Sequence, residues 1–344
     1  MDRVRIGIIG LGIMGQEYAK IYRALANVEV TAVTDHNEER LQQVAEQCGV
    51  ERRYSDYRRM LDQAPLDAVV VATPDFAHFE PAKAVLEAGK HLAVEKPMTT
   101  STAEADELLR LARSSGRKVQ VNYNHRWLGP YHHGKQAILK GEIGTPLAGF
   151  ARKNDTIFVP TEYISWAGRS TPAWFLSAHD VDLLRWYFAA EPIEARAWGR
   201  REVLCRRGID TYDLIQAQVK FSSGAIATFE SAWIYPNTFP SIVDSFVEVI
   251  GSEGHLHFDR KRESIEISTA RTFSYPKNFL NAEIFGRARG AFPACVEDFV
   301  AAIIENREPK VTALDGRQVT ATLEAIHRSL ETGETLPVPP PPAA

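Results

Sequence analysis

Three glycines, Gly10, Gly12 and Gly15, stand at the spacing Gly-x-Gly-x-x-Gly between an apolar run at residues 5–9 and a helical pattern. In a strand-to-helix turn of this kind the first glycine allows a tight bend, and the second lets the backbone approach a phosphate. The third lets the helix pack closely on the strand, while the start of the helix supplies free N–H groups and a positive dipole end. The spacing predicts a pyrophosphate site, against the alternative of a glycine turn without a ligand.

An acidic residue, Asp35, follows the second predicted strand at residues 28–33. It lies about twenty residues beyond the glycines, where a carboxylate accepts hydrogen bonds from the adenosine ribose and repels a 2′-phosphate. The sequence therefore predicts NAD as the cofactor in preference to NADP. An ordinary surface aspartate is the alternative interpretation.

Two further predicted strands also end in polar residues. Residues 66–72 are almost continuously apolar, as in a strand buried on both faces, and they lead into Thr73, Pro74 and His78. Such residues lie at the carboxyl end of the strand, which is where ligands bind in open α/β sheets.

The next strand, residues 91–94, ends in Glu95-Lys96-Pro97. A lysine at this edge can hydrogen-bond a nicotinamide ribose and a substrate oxygen, and the following proline would fix its backbone direction. By spacing alone the tripeptide is equally a solvated loop before a helix at residues 102–114. Whether the peptide is cis is open, because only about 5–6% of X-Pro bonds in folded proteins are cis.

The pattern along the chain changes near its middle. Up to about residue 124, short apolar strands alternate with amphipathic helices, which predicts an α/β Rossmann domain with a doubly wound parallel sheet. Beyond residue 146, strand-like segments alternate apolar with polar residues, which predicts an α+β domain with a large, mostly antiparallel open sheet. These segments are residues 193–203, 212–221, 225–235, 243–250, 255–259 and 264–268, followed by helices at 291–306 and 315–332. The predicted domains are residues 1–124 and 125–335, with a Pro-rich tail at 336–344 that is extended or disordered.

Composition narrows the classes of partner. In 344 residues, Lys plus Arg is 40 and Asp plus Glu is 44, so there is no excess of positive charge to attract nucleic acid. The three cysteines are far apart, which fits buried roles in a reducing compartment. The N-terminal apolar run is too short to span a membrane, and we expect a cytoplasmic protein. His132 and His133 are adjacent on a predicted helix and diverge, so no metal site is predicted there.

Taken together, these motifs resemble the Gfo/Idh/MocA family of nicotinamide-dependent oxidoreductases, named for glucose-fructose oxidoreductase and inositol dehydrogenase. The resemblance spans nearly the whole chain. It is carried by the glycine turn with Asp35, Ala72-Thr73-Pro74 with His78, Glu95-Lys96-Pro97, Asn122-Tyr123-Asn124-His125-Arg126-Trp127, Gly141 to Pro146, His179-Asp180-Val181-Asp182 and Gly251-Ser252-Glu253-Gly254. It implies a second domain that binds substrate and forms a homodimer or homotetramer through its sheet. It also implies cofactor contacts at Gly10, Gly12, Ile13, Met14, Gly15, Asp35, His36, Ala72, Thr73, Pro74, His78, Glu95, Lys96 and Asn122.

The helix that contains His179 is the predicted centre of the chemistry. Ser177 is a plausible N-cap with Asp180 three positions later, and the positive end of the helix dipole would keep a nearby imidazole neutral. Asp182 could fix the tautomer of His179 or stabilise the helix end. A partly buried structural histidine is the alternative for His179 itself.

The family resemblance implies a mechanism. The substrate carbon that carries a secondary alcohol would lie over C4 of the nicotinamide, and His179 would take the hydroxyl proton as the hydride leaves. Lys96 would hydrogen-bond the same oxygen and stabilise its developing negative charge. The expected substrate is a sugar, a cyclitol or a sugar derivative, oxidised at the alcohol or reduced at the ketone.

The sequence departs from the family at Phe175, where many sugar and cyclitol dehydrogenases have an aspartate that contacts substrate. This departure argues against a direct transfer of inositol specificity. Aromatic residues near it could form a platform for a sugar ring or could pack in a core, and arginines could reach a polar substituent. The possible orienting or substrate residues are Asp182, Tyr123, Asn124, Arg126, Trp127, Tyr163, Trp166, Arg169, Trp174 and Phe175.

Two other functions are compatible with the same fold and cofactor. The first is a glycosidase that holds NAD and cleaves by transient oxidation of the sugar. The second is a non-catalytic dinucleotide sensor that regulates a partner protein, and the presence of both Lys96 and His179 argues against it.

Overall fold

A computed structural model describes residues 3–343 of the chain. The contacts divide the chain into two compact units, Met1–Tyr123 with Glu283–Arg317, and Asn124–Ala282 with Gln318–Ala344. Residues 1, 2 and 344, at the outer ends of the predicted first domain and tail, lie outside the described residues. Within the described residues, no helix combines the length and the apolar character needed to cross a bilayer.

The first unit contains a parallel sheet in the strand order β3-β2-β1-β4-β5-β6, with connecting helices. The order reverses between β1 and β4, which creates the switch point where ligands bind in sheets of this class. This confirms the predicted Rossmann architecture. Its elements are β1 Val4–Ile9, α1 Ile13–Arg23, β2 Val28–Thr34, α2 Glu38–Cys48, β3 Arg52–Tyr54, α3 Tyr57–Gln63, β4 Ala68–Val71, α4 Phe79–Glu87, β5 His91–Val94, α5 Thr102–Ser115 and β6 Val119–Val121.

The second unit contains a larger sheet in the order β12-β11-β7-β10-β9-β8-β17. Neighbouring strands are antiparallel except for β7 and β10, which confirms the predicted mostly antiparallel sheet. The remaining elements of the chain, in order, are α6 Gly129–Leu139, β7 Pro146–Thr156, α7 Ala178–Phe188, β8 Pro192–Arg200, β9 Leu214–Phe221, β10 Ile226–Tyr235, β11 Val243–Gly251, β12 His255–Asp259, β13 Ile267–Ser268, β14 Phe273–Ser274, β15 Ala282–Ile284, β16 Arg287–Arg289, α8 Ala291–Ile304, α9 Ala313–Thr332 and β17 Leu336–Pro337.

Two strands differ from the sequence prediction. β7 lies in the middle of the large sheet and was not predicted, because its second half carries Arg152, Lys153, Asn154 and Asp155 rather than an apolar pattern. The strand predicted at residues 264–268 is wrong in extent. Only Ile267–Ser268 pairs there, with Phe273–Ser274 in a separate two-stranded sheet.

The predicted second domain at residues 125–335 differs from the observed division, because α8 belongs to the first unit. The ring of Phe292 on α8 packs edge-on against Tyr18 of α1, with centroids 5.0 Å apart. Gln120 Nε2 of β6 donates to the carbonyl of Cys295 at 2.8 Å. Buried packing on the Rossmann sheet therefore decides where α8 belongs, although it lies about 170 residues beyond β6 in the chain.

The Pro-rich tail begins as a strand of the large sheet. Leu336 pairs with Ala195 of β8, and the N–H of Val338 donates to the Ile193 carbonyl at 2.9 Å. The side chains of Leu336 and Val338 are 9% and 4% exposed. This part of the tail is therefore extended and packed.

The turn between β1 and α1 depends on the size of its glycines. Gly10 has φ +86°, and a Cβ on Gly15 would lie 1.9 Å from the carbonyl oxygen of Gly10. At Gly12, in contrast, a Cβ would meet nothing within 4 Å. Gly15 is therefore required for packing within the unit, whereas the open space at Gly12 is room that a ligand can use.

We predict different defects for alanine at these two positions. Gly15→Ala forces the backbone apart and should destabilise the protein by about 1–3 kcal/mol, the usual cost of overpacking. Gly12→Ala should leave the melting temperature nearly unchanged and weaken dinucleotide binding. Thermal denaturation and calorimetric titration with NAD would measure both effects. A Gly12→Ala protein that melts as early as Gly15→Ala would contradict this assignment.

Candidate active site

The start of α1 offers a cradle that fits a dinucleotide. Gly12 precedes the helix in an extended conformation and, as a glycine, has no side chain that could cap it. The N–H groups of the first turn therefore face the open space at Gly12 without a protein side chain as cap. Ile13 is 42% exposed and Met14 is half-buried, so both lie at the rim of this space.

Asp35 is 5% exposed and already accepts several hydrogen bonds. Its donors are the backbone N–H of Leu11 at 2.7 Å, the N–H of Asn37 at 2.8 Å, and Arg40 through Nε at 3.1 Å and Nη2 at 2.9 Å. Burial alone would raise the pKa of Asp35, but the bonds from Arg40, Asn37 and Leu11 outweigh it, and the pKa is lowered. The carboxylate is therefore ionised at neutral pH.

These hydrogen bonds limit the acceptor positions that Asp35 can offer to a ribose hydroxyl. An ionised carboxylate has about four acceptor positions, and four N–H groups already fill them. A ribose hydroxyl can bond Asp35 only when Arg40 gives up a hydrogen bond. His36, the other expected contact here, has a side chain 90% exposed to solvent.

The polar segment after β4 is held by His78. His78 is 1% exposed, with Nδ1 2.7 Å from the Pro97 carbonyl and Nε2 2.8 Å from the Thr73 carbonyl. Burial lowers the pKa of His78 to about 4, so the ring is neutral at pH 7 and donates through one nitrogen. Ala72 is buried, while Thr73 and Pro74 are half-buried. His78 thus positions the segment and is enclosed by protein.

Lys96 follows a buried glutamate at the end of β5. Glu95 accepts hydrogen bonds from Tyr18 Oη at 3.0 Å, from the backbone N–H of Lys96 at 3.2 Å and from Asn122 Nδ2. Burial raises the pKa of Glu95, although Lys96, Asn122 and Tyr18 oppose the rise. The Lys96-Pro97 peptide is cis, and Lys96 is half-buried. Glu95 therefore fixes the backbone from which the Lys96 side chain extends.

In the second unit, the predicted N-cap at Ser177 is wrong. Ser177 has helical angles, and its side chain makes no capping hydrogen bond, because a π-helical turn at Ala173–Ser177 leads directly into α7. His179 therefore lies inside a continuous helical segment, and the argument from a free helix end does not apply to it. Its side chain is half-buried.

Two ion pairs are buried beside His179. Lys153 Nζ of β7 lies 2.7 Å from Asp180 Oδ1, with side chains 5% and 1% exposed. Arg126 Nε donates to Asp182 Oδ2 at 2.9 Å, with side chains 9% and 0% exposed. Asp180 is thus no capping-box residue, and Asp182 forms a buried ion pair with Arg126.

The remaining candidates divide between packing and exposure. Tyr123, Asn124 and Trp174 are buried, and the Trp174 ring stacks on His327 at 4.6 Å. Trp166 and Phe175 pack on the apolar cluster around Trp233, with Phe175 6.1 Å from the Trp233 ring. Trp127 is half-buried, whereas Tyr163 and Arg169 are exposed. Core packing therefore describes Trp166, Trp174 and Phe175 better than an open platform does.

Sequence reasoning did not predict that the His125 ring stacks on His179 or that Lys153 pairs with Asp180. The signal for Lys153 was a run of charged and amide residues, Arg152 to Asp155, next to apolar ones, but it did not identify a strand. His132 and His133 are both exposed on α6. Among the residues described, no cluster of three or more His, Cys, Asp or Glu side chains could hold a metal ion.

We predict that Arg40 limits the choice between NAD and NADP. Asp35→Ser leaves Arg40 free to meet a 2′-phosphate, so kcat/KM for NADP should rise about tenfold or more, as charge-assisted hydrogen bonds allow. The double variant Asp35→Ser/Arg40→Ala should lose that gain. Initial rates with both cofactors would measure it, and equal NADP use by the two variants would contradict a role for Arg40.

Comparison with known families follows this division of the chain. A family model described as the NAD-binding Rossmann fold of the GFO_IDH_MocA oxidoreductases matches residues 4–123. A second model, described as the C-terminal alpha/beta domain of that oxidoreductase family, matches residues 135–339.

Individual proteins are similar over nearly the same length. The chain is 26% identical to the myo-inositol 2-dehydrogenase of Thermotoga maritima over 95% of this chain and 96% of that protein. It is 29% identical to the scyllo-inositol 2-dehydrogenase (NAD(+)) of Bacillus subtilis, covering 91% and 90%. The crystal structure of scyllo-inositol dehydrogenase from Lactobacillus casei with NAD(H) and scyllo-inositol has the same fold, with TM-score 0.85, 23% identity and coverage of 98% and 99%. Because the two family models cover most of its length, the chain belongs to the Gfo/Idh/MocA family of NAD-dependent oxidoreductases.

Proposed function

We propose that the protein is an NAD-dependent dehydrogenase that interconverts a secondary alcohol and a ketone on a cyclitol, a sugar or a sugar derivative. Two relatives that match along most of the chain are named as inositol 2-dehydrogenases, which supports a polyhydroxylated ring as the substrate class. The cytoplasm is the proposed location, in keeping with a diffusible cofactor and substrate.

The observation that carries the proposal is the setting of His179. Its imidazole is half-buried, while Asp180, the next residue in the chain, is almost fully buried and paired with the equally buried Lys153. A titratable ring on a fixed polar support is what proton transfer to a substrate requires.

The proposed mechanism gives separate roles to two side chains. His179 accepts the hydroxyl proton at an imidazole nitrogen, and Lys96 donates a hydrogen bond to the same oxygen as negative charge develops there. When bound, NAD supplies the nicotinamide ring that exchanges a hydride with the substrate carbon. In the reductive direction His179 returns the proton and Lys96 polarises the carbonyl.

Phe175 makes inositol itself a poor guide to the substrate. Its ring lies 5.8 Å from Trp166 and 6.1 Å from Trp233, and it packs on an apolar cluster. A phenylalanine cannot accept a hydrogen bond from a ring hydroxyl. The substrate should therefore present one hydroxyl fewer, or an apolar substituent, on the side that the family aspartate contacts.

The exposed face of the large sheet supports a homo-oligomer. Ile226 is 59% exposed, Trp198 is 55% and Ile250 is 47%. Ile226 and Ile250 are both paired with Ala148 of β7, which places them on one face of the sheet. We propose that this face joins copies of the chain in a dimer or tetramer.

A panel of sugars and cyclitols tests the proposed function directly. We expect NADH to form with at least one cyclitol, sugar or sugar derivative when the protein is mixed with NAD. Release of free sugar from an aryl glycoside without net NADH would instead indicate a glycosidase. Absence of turnover with every compound, together with tight NAD binding, would favour a sensor.

The same assay tests the catalytic residues. Lys96→Ala and His179→Ala should each lower kcat by about 10²- to 10⁴-fold, the usual contribution of a positioned acid, base or electrostatic group, and leave NAD affinity largely intact. Lys140→Ala and His133→Ala, at exposed positions, are matched controls. Near-normal turnover in either site variant would show that its role is wrong.

Disrupting the exposed sheet face tests the proposed assembly. Ile226→Asp with Trp198→Asp should shift the mass measured by light scattering toward one chain, because charge is costly in an apolar interface. Leu139→Asp, at a residue 66% exposed on α6, is the control. An unchanged mass in the double variant would exclude this face as the interface.

A further inference from the structure

A second imidazole lies flat against that of His179. The ring centroids of His125 and His179 are 4.1 Å apart, and the ring planes differ by 11°. His125 is only 4% exposed, whereas His179 is half-buried. One face of the His179 ring is therefore covered by a planar, buried partner.

The position of His125 is tied to α7 by its neighbour in the chain. His125 and Arg126 belong to the short 3₁₀ turn Asn124–Trp127. Arg126 pairs with Asp182, which lies one helical turn beyond His179 on the same face of α7. The guanidinium of Arg126 also lies 5.7 Å from the Trp186 ring, one turn further along. Consecutive residues of the 3₁₀ turn thus contact α7 at successive turns, and the buried Arg126–Asp182 pair holds the backbone that carries His125 next to His179.

The charges around His125 favour a neutral ring. Lys153 Nζ lies 3.4 Å from His125 Nδ1 and 2.7 Å from Asp180 Oδ1. An ammonium group can only donate, so Nδ1 accepts and the ring carries its proton on Nε2.

The other groups near His125 come from neighbouring elements. From α6, the Tyr131 ring lies 5.8 Å from the His125 ring, and the Arg260 guanidinium beyond β12 lies 5.6 Å from the Tyr131 ring. Arg260 is paired with Glu263, as Arg126 is with Asp182. Lys153, which contacts His125, and the more distant Arg126 and Arg260 thus each have a carboxylate partner. None of these carboxylates requires a positive charge on His125 as a partner.

We propose that His125 is a positioning residue for catalysis. Its ring holds the His179 imidazole in one orientation and remains neutral, so that His179 takes up the substrate proton without a cation stacked against it. This inference rests on the proposed role of His179 as the base. It predicts an effect on turnover rather than on substrate binding, because His125 itself is enclosed by protein and contacts the base.

Two substitutions of His125 distinguish the effect of ring stacking from the effect of the ring nitrogens. His125→Ala removes the stacked partner and should lower kcat about 10- to 100-fold, as expected for a misplaced catalytic group, with a smaller change in KM. In this variant the acid limb of the pH profile of kcat should move to higher pH, because water that replaces the His125 ring stabilises protonated His179. His125→Phe keeps a planar neutral ring and should recover most of kcat with the acid limb of the wild type.

The measurements are kcat and KM across the pH range, with ¹⁵N chemical shifts of the His179 ring as an independent titration. Thermal denaturation and NAD affinity check that each variant is folded, and His133→Ala is the exposed-histidine control. If folded His125→Ala keeps kcat within about twofold and the wild-type pH profile, the inference is overturned. If His125→Phe is as slow as His125→Ala, the stacking role is overturned. An acid limb in His125→Phe about one unit above the wild type would show that a protonated His125 lowers the pKa of His179 in the wild type, which contradicts a neutral ring.

His179→Asn, measured in parallel, separates this inference from the proposed function. Normal turnover in His179→Asn would remove the proposed base itself. Loss of turnover there, with no effect in either His125 variant, would leave the function standing and reject only the positioning role.

Discussion

The carboxylates of Asp180 and Asp182 lie on α7 with almost no contact with water, and each has a cation from another element as its partner. An unpaired charge at such a depth would cost several kcal/mol, so the partners cannot be exchanged freely. Lys153 therefore fixes β7 against α7, and Arg126 fixes the 3₁₀ turn against the same helix. The Arg126 pair also bears on His179, because the 3₁₀ turn that it holds carries His125, whose ring stacks on the His179 ring.

The first unit follows the same rule at the ends of its strands. Asp35 and Glu95 are both buried, and both are surrounded by N–H and O–H donors from nearby segments. Neither carboxylate is left to act on a ligand by itself. Their effect is to fix the glycine turn and the backbone of Lys96. The side chains that remain available for chemistry are thus few, which is typical of a site built on a rigid support.

Much of the fold could be predicted because its determinants are local. Gly15 must be glycine for α1 to approach β1, and the apolar run of β4 follows from burial on both faces of a parallel sheet. The large antiparallel sheet followed from alternation along most of its strands.

β7 was missed because its polar residues pair with residues on distant elements, as Lys153 does with Asp180. Ser177 was misjudged as a cap because a π-helical turn precedes it, which no spacing of side chains revealed. His125 lay within a motif that the sequence did identify, but stacking between positions 54 residues apart is a tertiary contact and leaves no periodic signal.

The strand formed by Leu336 and Pro337 also limits how the large sheet can grow. An unpaired sheet edge offers N–H and C=O groups to any passing strand and is a common starting point for aggregation. Here the last strand carries Pro337, which has no N–H to give, and four more prolines follow at residues 339–342. An incoming strand would find too few donors to extend the sheet past β17. The C-terminal residues thus block edge-to-edge strand pairing at β17. Chains that meet there must associate through side chains rather than by continuing the β-ladder.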